Sequence, residues 1–200
     1  MIAIIDYGMG NSSSVKKALD FLNIKSKITS SIKTIKLADK ILLPGVGAYT
    51  DAIDALHNLN IFDELKEKVL INKSPILGIC LGMQLLANSS EESEDKKGLS
   101  FIDTKCKKFT CDLKIPHVGW NDIDILKTDS PLFKNIPNHS DFYFAHSYHF
   151  DTNINEKTTV VDYGYKFTSS YEKDNIFGLQ FHPEKSQKYG LEILKNFGNL

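Results

Sequence analysis

The stretch SPILGICLGMQLLANSS, residues 74–90, decides the fold of this chain. Its first half places branched apolar residues before Cys80, which is typical of a strand buried on both faces, and its second half begins a helix at once. Gly78 and Gly82 lie two residues on either side of Cys80. This order predicts a sharp, strained turn, the sulfur version of a nucleophile elbow. Because free cysteine is also among the most buried residue types, these residues alone leave open whether Cys80 packs or reacts.

Strand-like and helix-like segments alternate through the first half of the chain. The apolar pattern predicts further strands at residues 1–6, 26–31 and 38–49, and helices at residues 11–24, 50–73 and 81–90. Near-continuous apolar strands that alternate with helices are typical of a parallel sheet covered on both faces. The prediction is therefore an α/β fold with a mostly parallel central sheet flanked by helices.

The second half of the chain has a different texture. From about residue 98 to residue 184, short runs rich in Phe and Tyr predict additional antiparallel strands and hairpins. Residues 186–200 predict a closing helix, and residues 89–98 (SSEESEDKKG) predict a polar surface loop. Since no internal repeat or low-complexity linker divides the chain, residues 1–200 are predicted to form a single domain.

The composition excludes several classes of protein. The 200 residues carry a formal charge of −1 from 24 basic and 25 acidic side chains, so no field favours nucleic acid or an anionic membrane. The first residues lack a signal peptide's basic region, and no apolar run reaches the length of a membrane span. Cys80, Cys106 and Cys111 form neither an even disulfide set nor a zinc pattern. We expect a cytoplasmic protein with free thiols, no nucleic-acid partner and no membrane contact.

A thiolate nucleophile needs a base and a group that orients the base. His182 and Glu184 lie two residues apart, directly after an apolar β-run. Because residues i and i+2 of an extended segment face the same side, the imidazole and the carboxylate can meet there. An isolated His-Pro-Glu is more often a surface turn, so this pair gains weight from its place after a strand.

Acyl transfer also needs two hydrogen-bond donors for the developing oxyanion. The backbone N–H of Leu81, the residue after Cys80, is the first candidate. The second is the backbone N–H of Val46, whose neighbours Gly45 and Gly47 allow that peptide to turn towards the site. A plain strand-ending turn explains the same glycines equally well.

Two motifs together carry a resemblance to a known family. GICLGMQLL and QFHPEKS form the signature pair of the class I glutamine amidotransferases, whose fold is flavodoxin-like. Further matches extend it to the glutaminase subunits of imidazole glycerol phosphate synthase, over residues 1–197. The matching stretches are residues 5–15, 42–49, 78–86, 115–121, 143–148 and 180–197.

The resemblance implies a role for each matching residue. Cys80 attacks the side-chain amide of glutamine, while His182 takes the thiol proton and returns it to the leaving ammonia. Glu184 orients the imidazole. Gln84, Gly45, Ser147 and Tyr148 contact the substrate, and Val46 and Gly47 complete the oxyanion hole with Leu81 after a peptide rearrangement. The resemblance implies neither a cofactor nor a metal ion.

The resemblance also implies a partner. Ammonia released into water would be protonated, so the acceptor site must lie on a protein that docks over this one. In the family that protein is the HisF-type (β/α)8-barrel cyclase, which forms a heterodimer and makes imidazole glycerol phosphate and AICAR. A paralogous glutaminase that supplies a sugar-nucleotide amidotransferase is the alternative. Two further alternatives are a related hydrolase or peptidase and a catalytically silent regulatory subunit.

Other conspicuous residues receive no catalytic role. The glycines of GMG, residues 8–10, lack the third glycine and the acidic partner of a dinucleotide site. His117, His146 and His149 show no metal-ligand spacing, and we expect His146 to lie near the site or a partner.

Overall fold

The computed structural model describes residues 1–151 and 154–200, and of residue 94 the backbone alone. The strands are β1 (Ile2–Ile5), β2 (Ser26–Thr29), β3 (Lys40–Gly45), β4 (Ile76–Cys80), β5 (Ser89–Ser90), β6 (Ser93–Lys97), β7 (Lys105–Lys108), β8 (His117–Asp122), β9 (Asp124–Ile125), β10 (Asp141–His146), β11 (Tyr148–Phe150), β12 (Lys157–Asp162), β13 (Lys166–Lys173) and β14 (Ile176–Leu179). The helices are α1 (Ser12–Phe21), α2 (Ile32–Leu37), α3 (Tyr49–Asn58), α4 (Ile61–Lys66), α5 (Leu81–Leu85) and α6 (Gln187–Asn199). A π-helical turn at Glu67–Ile71 and a 3₁₀ turn at Pro183–Lys185 complete the pattern.

The larger sheet has the strand order β2-β1-β3-β4-β14-β13-β11-β7-β5-β6, with β12 and β9 joined beside β13. Strands β2, β1, β3, β4 and β14 run parallel to one another. β13 and β11 extend this part with antiparallel pairs, and β8 and β10 form a separate antiparallel ribbon. The predicted α/β fold with a mostly parallel central sheet and additional antiparallel strands is confirmed.

Apolar side chains cover both faces of the central sheet. In β1, Ala3 and Ile5 belong to one buried cluster, whereas Ile2 and Ile4 belong to the other. This alternation follows from the two-residue period of a strand. β4 lies between β3 and β14 and is buried along its whole length, so Cys80 sits at the carboxyl end of a fully buried strand.

The helix predicted at residues 50–73 is wrong in its continuity. The chain forms α3, then Asn60 in the left-handed conformation (φ 56°), then α4 and the π-helical turn. A left-handed residue cannot continue a right-handed helix, and asparagine tolerates that conformation better than most residues. α2 was not among the predicted helices.

The prediction for residues 81–98 is also wrong in part. The helix begins at Leu81 as expected but ends at Leu85, because the carbonyl oxygens of residues 85–87 accept hydrogen bonds from the N–H groups of residues 99–102. Residues 89–98 form the β5–β6 hairpin where a surface loop was predicted. β5 pairs with β7, so its polar residues satisfy their backbone in the sheet, and Ser90 is fully buried.

No helix among the described residues is long and apolar enough to cross a membrane.

Candidate active site

Cys80 occupies the strained turn that the sequence predicts. Its backbone has φ 54° and ψ −110°, a conformation that residues other than glycine rarely adopt. A Cβ at Gly82 would overlap the carbonyl oxygen of Leu43, and a Cβ at Gly78 would lie 2.6 Å from the carbonyl oxygen of Gly82. Both glycines therefore allow β4 to turn directly into α5, and the predicted elbow is confirmed.

His182 and Glu184 meet as expected, although by a different local geometry. Nδ1 of His182 lies 2.8 Å from Oε1 of Glu184, and both side chains are buried. His182 itself is extended, but Glu184 lies in the 3₁₀ turn that follows, so the contact crosses a turn and not a straight strand. The N–H of His182 donates to the carbonyl oxygen of Tyr143 at 2.9 Å, which anchors the backbone at this point.

The charge state of His182 depends on its neighbours. Burial lowers the pKa of His182, but its hydrogen bonds to Cys80 and Glu184, together with their negative charges, outweigh burial and raise the pKa to about 10. His182 is therefore an imidazolium at neutral pH. An imidazolium beside the sulfur of Cys80 can donate a proton to a leaving group.

Besides His182, two groups lie against the sulfur of Cys80. The sulfur is 3.8 Å from the carbonyl oxygen of Ala145, and Nε2 of Gln180 donates to the sulfur at 3.8 Å. Gln180 was not predicted, yet it lies two residues before His182, and the same two-residue period could have indicated it.

A cavity of about 270 Å³ opens above Cys80. Its lining residues are Val46, Gly47, Cys80, Leu81, Gln84, Glu92, Pro116, Val118, Ala145, His146, Ser147 and Tyr148. Most of the predicted site residues are thus brought together, including the substrate-contact candidates Gln84, Ser147 and Tyr148. Of the remainder, Gly45 is the register partner of Cys80 in the adjacent strand, and His182 and Glu184 are not among the described lining residues.

The two predicted oxyanion donors differ in their availability. Leu81 is the first residue of α5, where a backbone N–H has no partner within its own helix. The N–H of Val46, in contrast, donates to the carbonyl oxygen of Met9 at 3.0 Å. The second donor is therefore engaged elsewhere in this conformation, and its use in the oxyanion hole requires the peptide between Gly45 and Val46 to rotate.

Gln84 uses its amide nitrogen inside the protein. Nε2 donates to the carbonyl oxygen of Tyr148 at 2.9 Å and to Oε1 of Gln180 at 3.2 Å. Since an amide nitrogen carries two protons, both are engaged, and the side-chain oxygen of Gln84 is the atom left for a ligand.

Glu92 and His146 also line the cavity, and only His146 was expected near the site. Glu92 lies between β5 and β6, and burial raises its pKa. Nothing in the local sequence distinguishes it from its acidic neighbours. Burial likewise lowers the pKa of His146 well below its usual value, and Nδ1 of the neutral ring lies 2.8 Å from the carbonyl oxygen of Tyr148. His146 thus supports the same carbonyl group as Gln84.

Comparisons with known proteins agree with this geometry. The family model described as glutamine amidotransferase class-I matches residues 3–199. Imidazole glycerol phosphate synthase subunit HisH 1 of Campylobacter jejuni subsp. jejuni serotype O:23/36 (strain 81-176) is 48% identical over 202 residues, covering 100% of both chains. The HisH subunit of Moorella thermoacetica is 44% identical, covering 100% of this chain and 94% of its own.

Solved structures support the fold. A crystal structure of a glutamine amidotransferase superposes with a TM-score of 0.77 at 17% identity, covering 99% of this chain and 100% of that one. The glutaminase domain of Trypanosoma brucei CTPS, with bound acivicin, superposes with a TM-score of 0.69 at 18% identity, covering 99% of this chain and 93% of that one.

Proposed function

This chain belongs to the class I glutamine amidotransferases, and we propose that it is the glutaminase subunit of an imidazole glycerol phosphate synthase. It hydrolyses glutamine to glutamate and ammonia and passes the ammonia to a HisF-type (β/α)8-barrel cyclase, which forms imidazole glycerol phosphate and AICAR in histidine biosynthesis. The observation that carries the proposal is the buried contact of His182 with Glu184 behind Cys80, in a chain similar over its full length to HisH subunits.

The first half of the reaction forms a thioester. The thiolate of Cys80 attacks the side-chain amide carbon of glutamine, and the oxygen becomes an oxyanion held by backbone N–H groups. The C–N bond then breaks, and the imidazolium of His182 gives its proton to the departing nitrogen, which leaves as ammonia. Before attack, the Cys80 thiolate and Glu184 raise the pKa of His182 to about 10; attack removes the charge on the sulfur, so the imidazolium becomes a stronger acid at the moment it must give up its proton.

The second half releases glutamate. Neutral His182 removes a proton from a water molecule, which attacks the thioester carbon. The C–S bond breaks, and the thiolate of Cys80 and the imidazolium of His182 are restored. Glu184, at 2.8 Å from Nδ1, stabilises the positive charge on the ring in both halves.

The lining of the cavity suits the polar ends of glutamine. Among the described lining residues, Glu92 carries the one carboxylate, so it is matched to the α-ammonium group of the substrate. The side-chain oxygen of Gln84 is an acceptor for an N–H of the substrate. Ser147 and Tyr148, at the corner between β10 and β11, flank the same space.

The mouth of the cavity suits a protein partner. Val46 and Val118 line the cavity and expose 39% and 57% of their surfaces, and Trp120, which lies two residues after Val118 in β8, exposes 48%. Large apolar side chains that remain exposed around a site are typical of an interface. A partner seated on these residues would cover the cavity and receive ammonia without its passage through water.

The experiment compares glutamate release by the purified chain, alone and with a HisF-type cyclase and its nucleotide substrate. We expect the complex to be faster by about 10²–10³-fold, the usual value of one oxyanion donor, because Val46 is engaged with Met9 in the chain alone. Cys80→Ala should abolish glutamine-dependent synthesis, while ammonium salts still support synthesis by the cyclase.

Two outcomes contradict the proposal at different levels. Absence of glutamate release in every combination would remove the glutaminase assignment. If the rate of glutamate release is unchanged by the cyclase but rises with a sugar-nucleotide amidotransferase, the glutaminase assignment stands and the proposed partner is wrong.

A further inference from the structure

The side chain of Asn11 forms its hydrogen bonds with distant residues instead of with the helix that follows it. It precedes α1 at the position where asparagine commonly caps a helix, yet its side chain makes no capping bond. Its Nδ2 donates to Oε1 of Glu184 at 3.0 Å and lies 3.4 Å from Nδ1 of His182. The side-chain amide of Asn11 therefore contacts both Glu184 and His182, although His182 is 171 residues away in sequence.

The backbone presents Asn11 to Glu184. Asn11 has φ 68°, in the left-handed region, and its carbonyl oxygen accepts the N–H groups of Ser14 and Val15 at the start of α1. α1 packs against the 3₁₀ turn that contains Glu184. The helix therefore fixes the position of the amide without using the side chain.

The carboxylate of Glu184 depends on this contact. His182 and Asn11 share Oε1, whereas Oε2 is buried with no hydrogen-bond partner among the described residues. A carboxylate held through one oxygen can turn about its last side-chain bond, which would take Oε1 away from the imidazole. The second contact, from Asn11, opposes that rotation.

We propose that Asn11 is a positioning residue of the glutaminase, holding the carboxylate of Glu184 against Nδ1 of His182 so that the ring stays directed at Cys80. The inference rests on the proposed function and deepens it. Asn11 is not among the described lining residues of the cavity, and its side-chain hydrogen bonds go to Glu184 and His182, so it acts through these two residues.

The test uses two variants at Asn11 and one matched control. Asn11→Gly removes the amide while glycine accepts the left-handed backbone. Asn11→Asp keeps the shape but replaces a donor with a second carboxylate beside Glu184. Asn60→Gly is the control, because Asn60 is an exposed left-handed asparagine before α4 and makes no capping bond.

Turnover is measured in the complex with the cyclase and its nucleotide substrate. We expect Asn11→Gly to lower kcat about tenfold to a hundredfold, as for the loss of one hydrogen bond to a charged group, with KM within about twofold. Asn11→Asp should be at least as slow, and Asn60→Gly should match the parent.

The pH profile separates positioning from general damage. Among the described residues, the titratable groups that face His182 are Cys80, Tyr143, His146 and Glu184. In the parent we expect the alkaline limb of kcat to report loss of the imidazolium proton, whose pKa is raised to about 10. Asn11→Gly should move this limb to lower pH, because a misaligned carboxylate stabilises the imidazolium less.

A proton NMR spectrum gives a readout that needs no turnover. The parent should show a low-field signal from the proton between His182 and Glu184, and Asn11→Gly should weaken or shift it, while Asn60→Gly preserves it. Parent-like kcat, pH limb and signal in Asn11→Gly would overturn the positioning role. If Asn11→Gly melts well below Asn60→Gly, the same comparison is made with Asn11→Asp. A parent chain without glutaminase activity would instead overturn the proposed function.

Discussion

The two halves of the catalytic machinery differ in how far they are assembled. His182 and Glu184 are in contact at 2.8 Å, and Cys80 already stands at the tip of its strained turn. The proposed second oxyanion donor is not in place, because the N–H of Val46 is bonded to Met9. Under the proposed mechanism, the chain therefore holds its nucleophile and base ready while it withholds part of the transition-state stabilisation.

The surroundings of the two halves explain the difference. His182 and Glu184 are buried within one turn of chain after β14, where close packing leaves few alternative arrangements. Val46 lies between Gly45 and Gly47 at the end of β3, and Gly47 has φ 103°. Glycines on both sides lower the cost of rotating the peptide, so this half can change when a partner binds.

Removal of the charge on Glu184 should have the largest effect on activity, because it disrupts the contact between His182 and Glu184 that is already formed. Glu184→Gln is expected to lower glutaminase kcat by about 10⁴-fold, since the imidazolium loses its counter-charge. The loss should be equal with and without the cyclase. Glu67→Gln, an exposed position on the π-helical turn, is the control. A loss confined to the complex would contradict a preassembled pair.

Removal of the N–H of Val46 should prevent completion of the proposed oxyanion hole. Val46→Pro is expected to lower the rate of the complex about 10²–10³-fold and to leave the slow rate of the isolated chain nearly unchanged. Val46→Ala, which keeps the N–H, should behave like the parent. If Val46→Pro and the parent are activated equally by the cyclase, Val46 is not the second donor.

Truncation of the exposed indole of Trp120 should weaken binding of the partner without changing the chemistry of the isolated chain. Trp120→Ala is expected to weaken binding of the cyclase by about 30-fold in Kd, the scale of an aromatic interface anchor. Glutamate release by the isolated chain should not change. Phe21→Ala is the control for general surface effects, because Phe21 is also an exposed aromatic residue but lies on α1. Equal binding by Trp120→Ala and Phe21→Ala would place the interface elsewhere.

The smallest predicted effect is a dependence on pH. Because the folded pKa of His182 is raised to about 10, its ion-pair contribution to stability is complete below the ordinary histidine pKa and declines as the pH rises through about 10. Glutaminase activity should be half-lost near pH 10, and the melting temperature should fall over the same range. An alkaline limb near pH 7 would show that Cys80 and Glu184 do not hold the proton on the ring.

The local motifs were predictable because their geometry depends on neighbours in sequence. Gly78, Cys80 and Gly82 specify the elbow, since only residues without a Cβ fit beside the turn. His182 and Glu184 are close enough along the chain for spacing to predict their contact. Segments whose structure depends on distant partners were predicted less well. The polar sequence of residues 89–98 predicts a loop, but pairing of β5 with β7 makes part of it a strand.

The sequence by itself determined the α/β class, the elbow at Cys80, the pairing of His182 with Glu184 and the family. Only the tertiary structure decided that Glu92 lines the cavity, that Asn11 reaches Glu184 and that the N–H of Val46 is bonded to Met9. These contacts join parts of the chain that are far apart, where spacing carries no information. The direction of a peptide group leaves no trace in residue type either, because every residue except proline carries the same N–H.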